Sequence, residues 1–301
     1  MFNRRSLAFG AAATLLFPGL SHAQVTVIDR LAAGQPPVIV SHRALGAGFP
    51  ENALAGIQHA IENGIDMVKI DAQRTRDGQY VLMHDPVLNR TTNVEAVFPQ
   101  GPPDGPTREK RGGRDYISDY ALADIKRLRL VDGRDGGDYP VPTLQDALDL
   151  IDGRLLVALD LKSYDLDSIV ALLKGRDTRN LLFFGIYYHD PTLLHDVAAA
   201  VGIRTFIAMP RSMDYAADLE RLADSLGPLL AMVSVRSRRL SPDVFAKARE
   251  LGIALCISGM DDEDSDLRYK ADPGPWQDAL DSGAAAFMTD EPDALQKLLN
   301  R

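Results

Sequence analysis

Cysteine is nearly absent: Cys256 is the single one among 301 residues. One thiol cannot close an internal disulfide, so no disulfide framework holds the fold, even in an oxidising compartment. Cys256 stands in the apolar run IALCISG, where it reads as buried filler rather than a nucleophile. Tryptophan is as scarce: Trp276 stands alone, far in sequence from the motifs below, and no role follows for it. Beyond the N-terminus no apolar run reaches the roughly 18 residues a membrane-spanning helix needs, so the mature chain is expected to span no membrane. Positive charge is in deficit: 33 Lys and Arg face 42 Asp and Glu, a formal net charge of −9. Such a surface repels nucleic acid and anionic membrane, so neither is an expected partner. Any anion must then be met by cations gathered locally.

The N-terminus reads as an export signal. Arg4 and Arg5 open it, an apolar stretch runs from Leu7 to Phe17, and Ser21 and Ala23 set small residues before Gln24. Residues 1–23 are therefore expected to be a leader cleaved near Ala23–Gln24, leaving a periplasmic or secreted protein. The paired arginines suggest the twin-arginine route. Removing the leader takes the formal charge from −9 to −11. Residues 24–301 then read as one domain, within the size range of single barrels.

Eight short apolar runs punctuate that domain, at 38–43, 67–73, 155–162, 181–187, 205–210, 229–235, 253–259 and 285–290. Between them lie stretches of helical spacing that end in Gly, such as ALAGIQHAIENG and SPDVFAKARELG. Near-continuous apolar strands alternating with helices predict a (β/α)8 TIM barrel. A ninth run, YVLMHD, follows the second strand too closely for a parallel crossover, so it must return as a hairpin extension after strand 2. Asp77-Gly78 is the turn signal. A two-residue turn sets Arg76 opposite Gln79 and thereby Asp71 directly opposite His84, with Lys69 on the same face. Val68, Ile70 and Ala72 then face the helices. The segment 93–116, rich in Pro, Gly and charge, reads as a long loop at the same mouth, either a linker or a lid that shapes the substrate site.

The first strand ends in His42 and Arg43. Two histidines at one mouth, His42 and His84, can divide general base and general acid duty near neutral pH, and Arg43 offers a fork of donors for phosphoryl oxygens. The third strand brings Asp160 and Lys162 on one face. Two inward carboxylates, Asp71 and Asp160, call for a cation between them, and oxygen ligands suit Mg²⁺ or Ca²⁺. Other candidates carry less. His59 reads as a surface residue, and His189 and His195 as surface or helix-capping groups. Tyr187 is read as structural or as lining the pocket. The run DDEDSD at 261–266 lacks the Gly and Glu of a calcium loop and reads as a solvated acidic loop.

In order along the chain stand HRA (42–44), PEN (50–52), KID (69–71), TRDG (75–78), HD (84–85), RTT (90–92), PTL (142–144), DLK (160–162) and TDEP (289–292). This series resembles the glycerophosphodiester phosphodiesterases, a (β/α)8 family related to the phosphatidylinositol-specific phospholipases C. The resemblance implies hydrolysis of a small or lipid-derived glycerophosphodiester to glycerol 3-phosphate and an alcohol. It implies His42 and His84 as the acid/base pair and Arg43 and Lys162 as phosphate ligands; Lys69 and Asn52 stand beside them as further candidate substrate or phosphate ligands. It also implies a divalent cation, Ca²⁺ or Mg²⁺, held by Asp71, Asp160 and Glu51.

Three positions depart from the family pattern. Ala44 stands for Gly, Asp160 for Glu, and Lys69 for a Glu that would bind metal. An ammonium does not coordinate a metal while protonated. Lys69 therefore supplies the positive charge itself, or turns aside while an ion binds through Asp71, Asp160 and Glu51, or marks a site without hydrolytic activity; charge balance favours the first. A lyase that stops at a cyclic phosphate and a non-catalytic periplasmic binder of phosphorylated ligands remain the alternative functions.

Overall fold

The computed structural model describes residues 26–300 except positions 33, 211 and 261, so the expected leader, residues 1–23, lies outside the described residues. Its strands are β1 (Val38–Ser41), β2 (Met67–Arg74), β3 (Tyr80–Leu82), β4 (Arg129–Leu130), β5 (Tyr139–Pro140), β6 (Leu156–Leu161), β7 (Leu181–Ile186), β8 (Arg204–Ala208), β9 (Leu230–Val235), β10 (Ala254–Ser258) and β11 (Ala286–Thr289). Pairing runs β1-β11-β10-β9-β8-β7-β6-β2, and β1 also pairs with β2, so eight parallel strands close on themselves. This is the (β/α)8 barrel, with β3 as the antiparallel extension of β2.

Side-chain alternation along the strands sorts residues to two cores. Val38, Val40, Met67, Leu156, Ala158 and Phe206 fill the barrel interior. Ile39, Val68, Ile70, Val157, Leu159 and Phe183 face the helices. Helix ends are set by local chemistry: Thr143 and Asp146 form a capping box on the helix Leu144–Ile151, and Ser241 caps Pro242–Glu250. Each fully buried Leu or Ile on these faces contributes roughly 1.5–3 kcal/mol. Cys256 lies wholly buried in the interior layer, and burial pushes its thiol pKa up, in keeping with filler.

Two expectations about the hairpin region are corrected. Its loop has three residues, not two: Thr75 N donates to Gln79 O at 2.8 Å, Gly78 N donates to Thr75 O at 3.0 Å, and Gly78 takes φ +81°. Thr75 Oγ1 selects this longer loop by accepting from Gln79 N and donating to Asp77 Oδ1. The register therefore slips by one, and Met83, not His84, opposes Asp71, its N–H donating to Asp71 O at 2.9 Å. A slip by one normally sends a side chain to the other face. It does not misplace His84, because β3 ends at Leu82 and the backbone has already left the sheet.

The segment 93–116 is not a bare loop. Val94, Phe98, Ile117, Tyr120, Ile125 and Leu128 build a satellite core with Val81 and Met83 of the hairpin arm. Arg108 and Tyr120 both bond the buried Asp115, at 2.5 and 2.6 Å. Among the described residues no helix is long and apolar enough to cross a membrane.

Candidate active site

Strand parity builds the floor of the barrel mouth. Continuing inward from Met67 come Lys69 and Asp71, and inward from Leu156 and Ala158 comes Asp160. The β2–β6 register sets Asp71 level with Asp160, so two carboxylates sit side by side on neighbouring strands. Like charges so placed need an intervening cation. Lys69 Nζ supplies one: it bonds Asp71 Oδ1, lies 2.8 Å from Asp160 Oδ2, and rests over the Phe184 ring. Lys162 Nζ supplies a second, 2.6 Å from Asp160 and 3.4 Å from Asp71. Two ammonium groups thus balance two carboxylates. Burial alone would raise the Asp71 pKa, but the Lys69, Lys162 and His84 charges overcome it and hold the carboxyl far below its usual range. For Lys162 burial works to lower the pKa, and Asp160 and Asp71 outweigh it and raise it.

Beyond β1 the chain makes a tight turn at His42–Ala44, with Arg43 at φ +53° and Ala44 at φ +52°. Gly56 permits that turn, since a Cβ there would meet Ala44 O at 2.0 Å. The turn aims both side chains into the cavity. His42 Nδ1 lies 2.7 Å from Asp290 Oδ1, and His84 Nδ1 lies 2.7 Å from Asp85 Oδ1. Tying Nδ1 to a carboxylate makes it the protonated nitrogen of the neutral ring and leaves Nε2 as the basic one. Burial lowers the pKa of each histidine from 6.5. At His42 the Asp290 partnership opposes this while Lys69 and Arg43 reinforce it; at His84 Asp71 and Asp85 oppose while Arg43 and Lys162 reinforce. His42, Arg43, Lys69, His84, Lys162 and Asp290 line one cavity of about 440 Å³. Arg43 Nε is buried in this chain with no hydrogen-bond partner, a donor without its acceptor.

The expected ion ligands do not assemble as a set. Glu51 reaches the cavity, but Arg43 Nη1 bonds it at 2.9 Å and Arg90 Nη2 at 2.7 Å. Burial raises its pKa, and the two guanidinium groups overcome that and lower it. Asp71 and Asp160 hold lysines, and among the described residues no three His, Cys, Asp or Glu converge as an ion would require. The residues present do not fit a divalent cation. Asn52 is likewise not at the cavity wall: it is buried, donates to Asp71 Oδ2 at 3.1 Å and accepts from Asp71 N at 2.9 Å.

Several participants were not assigned from sequence. Asp85 and Asp290 stood inside quoted motifs without roles. Arg90, inside RTT, bonds Asp85 Oδ2 at 2.5 Å as well as Glu51, and with the His84 bond it holds the Asp85 pKa down to about 2. The acidic run at 261–266 is not a solvated loop: it enters the helix Glu263–Lys270, and Glu263 and Asp264 are buried. Asp264 accepts from Thr289 Oγ1 at 2.6 Å, Trp276 Nε1 at 3.0 Å and Asp290 N at 2.6 Å, which gives the buried Trp276 a role behind the His42–Asp290 pair. His59 is half-buried, with Nε2 2.7 Å from Asp293 Oδ1 and its ring against Phe49. Tyr187 belongs to the strand–helix layer, its hydroxyl on Asp218, and His189 and His195 are exposed.

Comparisons with known proteins place the chain in a family. Residues 42–294 match the glycerophosphoryl diester phosphodiesterase family. A glycerophosphodiester phosphodiesterase of Caldanaerobacter subterraneus subsp. tengcongensis is 30% identical over 129 residues, 42% of this chain and 45% of that one. The first two curated relatives are each matched over 45% of their length. Among solved structures, a glycerophosphoryl diester phosphodiesterase from Parabacteroides distasonis superposes with a TM-score of 0.70 at 20% identity, covering 92% of both chains. An Oleispira antarctica phosphodiesterase, solved with its product sn-glycerol-3-phosphate, gives 0.62 at 21% identity over 88% of this chain and 98% of that one. On a match that takes in nearly every motif from His42 to the TDEP segment, the chain belongs to the glycerophosphoryl diester phosphodiesterase family.

Proposed function

We propose that this protein hydrolyses a glycerophosphodiester to glycerol 3-phosphate and an alcohol, with Lys69 serving where relatives of the family place a divalent cation. The observation that carries the reading is the Lys69 ammonium held between Asp71 and Asp160, on the floor of a cavity that also receives two carboxylate-bound histidines. The diester phosphate sits against Arg43, Lys69 and Lys162. Charge developing on its oxygens is met by preorganised donors. Arg43 Nε, buried without a partner, takes one phosphoryl oxygen.

The glycerol hydroxyl next to the ester attacks phosphorus and gives its proton to Nε2 of one histidine. The other histidine protonates the departing alcohol oxygen as the P–O bond breaks, which leaves a cyclic phosphate. Water then opens the ring with the roles exchanged, and the monoester leaves. Asp290 and Asp85 keep the rings oriented and stabilise each imidazolium in turn. No step needs a metal ion.

Purified protein assayed on glycerophosphocholine and related diesters, with and without EDTA, tests this. Turnover unchanged by chelator is expected. Activity abolished by EDTA and restored by Ca²⁺ or Mg²⁺ overturns the role of Lys69, and failure to turn over any diester overturns the hydrolysis. Phosphorus NMR of the product separates the monoester from a retained cyclic phosphate.

A further inference from the structure

The barrel mouth is two-sided. Arg43, Lys69, His84 and Lys162 come from the chain at and beyond β1, β2, β3 and β6, whereas β7 to β10 and the loops after them contribute Phe184, Ile186, Ala208, Pro210, Val235 and Met260 to the same cavity. Among the described residues of that second half, Ser234 and Ser258 add hydroxyls, Arg236 is the one charged lining residue, and the bordering carboxylate, Asp290 beyond β11, is taken by His42. The single aromatic ring there, Phe184, already carries Lys69 Nζ at 5.0 Å from its centroid. A quaternary ammonium or an amine thus finds no uncommitted carboxylate and no aromatic cage there. Tyr188 follows β7 and Met213 follows β8, outside the cavity lining and 53% and 86% exposed. A concave wall of apolar side chains suits hydrocarbon.

The opposite side of the phosphate position mixes apolar surface with hydrogen-bonding side chains. A neighbouring cavity of about 390 Å³ shares His84 and Lys162 with the mouth; beside Pro86 and Ile117 it adds the polar side chains of Gln73, Asp85, Ser118 and Ser163. Those groups suit hydroxyls. A glycerol end laid toward that cavity directs the other ester oxygen, and whatever it carries, toward β7–β10.

We infer that the β7–β10 half of the mouth is a subsite for the leaving alcohol, and that this alcohol is uncharged and aliphatic. The inference rests on the phosphodiesterase reading above and extends it to substrate class. The volume of the cavity, about 440 Å³, exceeds what a phosphate and three carbons fill and admits a chain of several methylenes. Each methylene buried there raises affinity about fourfold.

The test compares kcat/KM for the octyl ester of glycerol 3-phosphate, the ethyl ester, glycerophosphocholine, and a lysophosphatidylcholine whose chain is on the glycerol. The octyl ester is expected to lead glycerophosphocholine and the ethyl ester by tenfold or more, chiefly through KM. Ile186→Asn and Met260→Asn are expected to reduce the octyl-to-ethyl ratio severalfold, and exposed Met213→Ser to reduce it less. Equal rates, or a lead for glycerophosphocholine, overturn the aliphatic subsite; a lead for lysophosphatidylcholine overturns its assignment to the leaving alcohol. Thermal stabilisation by octyl phosphate against ethyl phosphate and phosphocholine gives an independent readout. If no diester is hydrolysed, the hydrolysis reading falls, yet a larger Tm rise with octyl phosphate still supports the subsite and an equal rise overturns it.

Discussion

His42 and His84 carry the most direct consequences of their surroundings. Replacing either by Ala is expected to lower kcat by about 10²- to 10⁴-fold, the range for a lost proton carrier, as steady-state assays would read. Because burial holds both rings below 6.5, the two limbs of the kcat/KM profile shift together. The basic histidine loses function as pH falls through its lowered pKa, and the acidic one as pH rises through its own. The optimum is therefore expected on the acid side of pH 6.5. The same shifts act on stability. A histidine with a lowered folded pKa contributes stability fully above its unfolded value, near 6.5, and loses it as pH falls below that. Asp264 has the opposite sign. Burial raises its pKa to about 6, against the bonds from Thr289, the Asp290 backbone and Trp276. Its contribution is therefore whole below the unfolded carboxylate value of about 3.9 and is lost as pH rises through 6. Denaturant titrations at several pH values should show wild type losing stability relative to Asp264→Asn between pH 4 and 7.

Two elements hold the site, and glycine serves them differently. Gly78 closes the three-residue hairpin loop at φ +81°, with Arg74 Nη2 3.2 Å from where a Cβ would stand. Gly78→Ala is expected to cost about 1 kcal/mol, the left-handed penalty. Gly56→Ala forces the helix Leu54–Glu62 off the His42–Ala44 turn and is expected to cost about 2 kcal/mol or more, with kcat falling as His42 and Arg43 move. Chemical denaturation separates the two variants. These elements also mark how far sequence reasoning reaches. All eight barrel strands were legible because apolar strand runs and helical periodicity are local, and the gathering of His42, Lys69, Asp71 and Asp160 at one mouth followed from them; His84 was expected there through a register that does not hold. The hairpin register was not, because Thr75 lengthens the loop through a side-chain bond that the Asp-Gly pair does not disclose. Nor was the support behind His42. Asp290 lies 248 residues away in the chain, and the acids of 261–266 look solvated until β10 and β11 bring Asp264 against Thr289, Asp290 and Trp276.

Across the molecule, the barrel closes around one buried lysine, 2% exposed, held between two acids. Lys69→Met leaves Asp71 and Asp160 with Lys162 alone and is expected to cost about 3 kcal/mol or more, measured by urea unfolding. Lys69→Glu places a third carboxylate at the vacated centre. That variant is expected to gain a rise in Tm on adding Ca²⁺ or Mg²⁺ that the parent lacks, by the linkage of ion binding to folding. A charge that is part of the polypeptide cannot be leached. On the proposed reading, citrate, oxalate or a competitor hoarding divalent ions is expected to remove nothing from this mouth, whose charge is complete once the chain has folded.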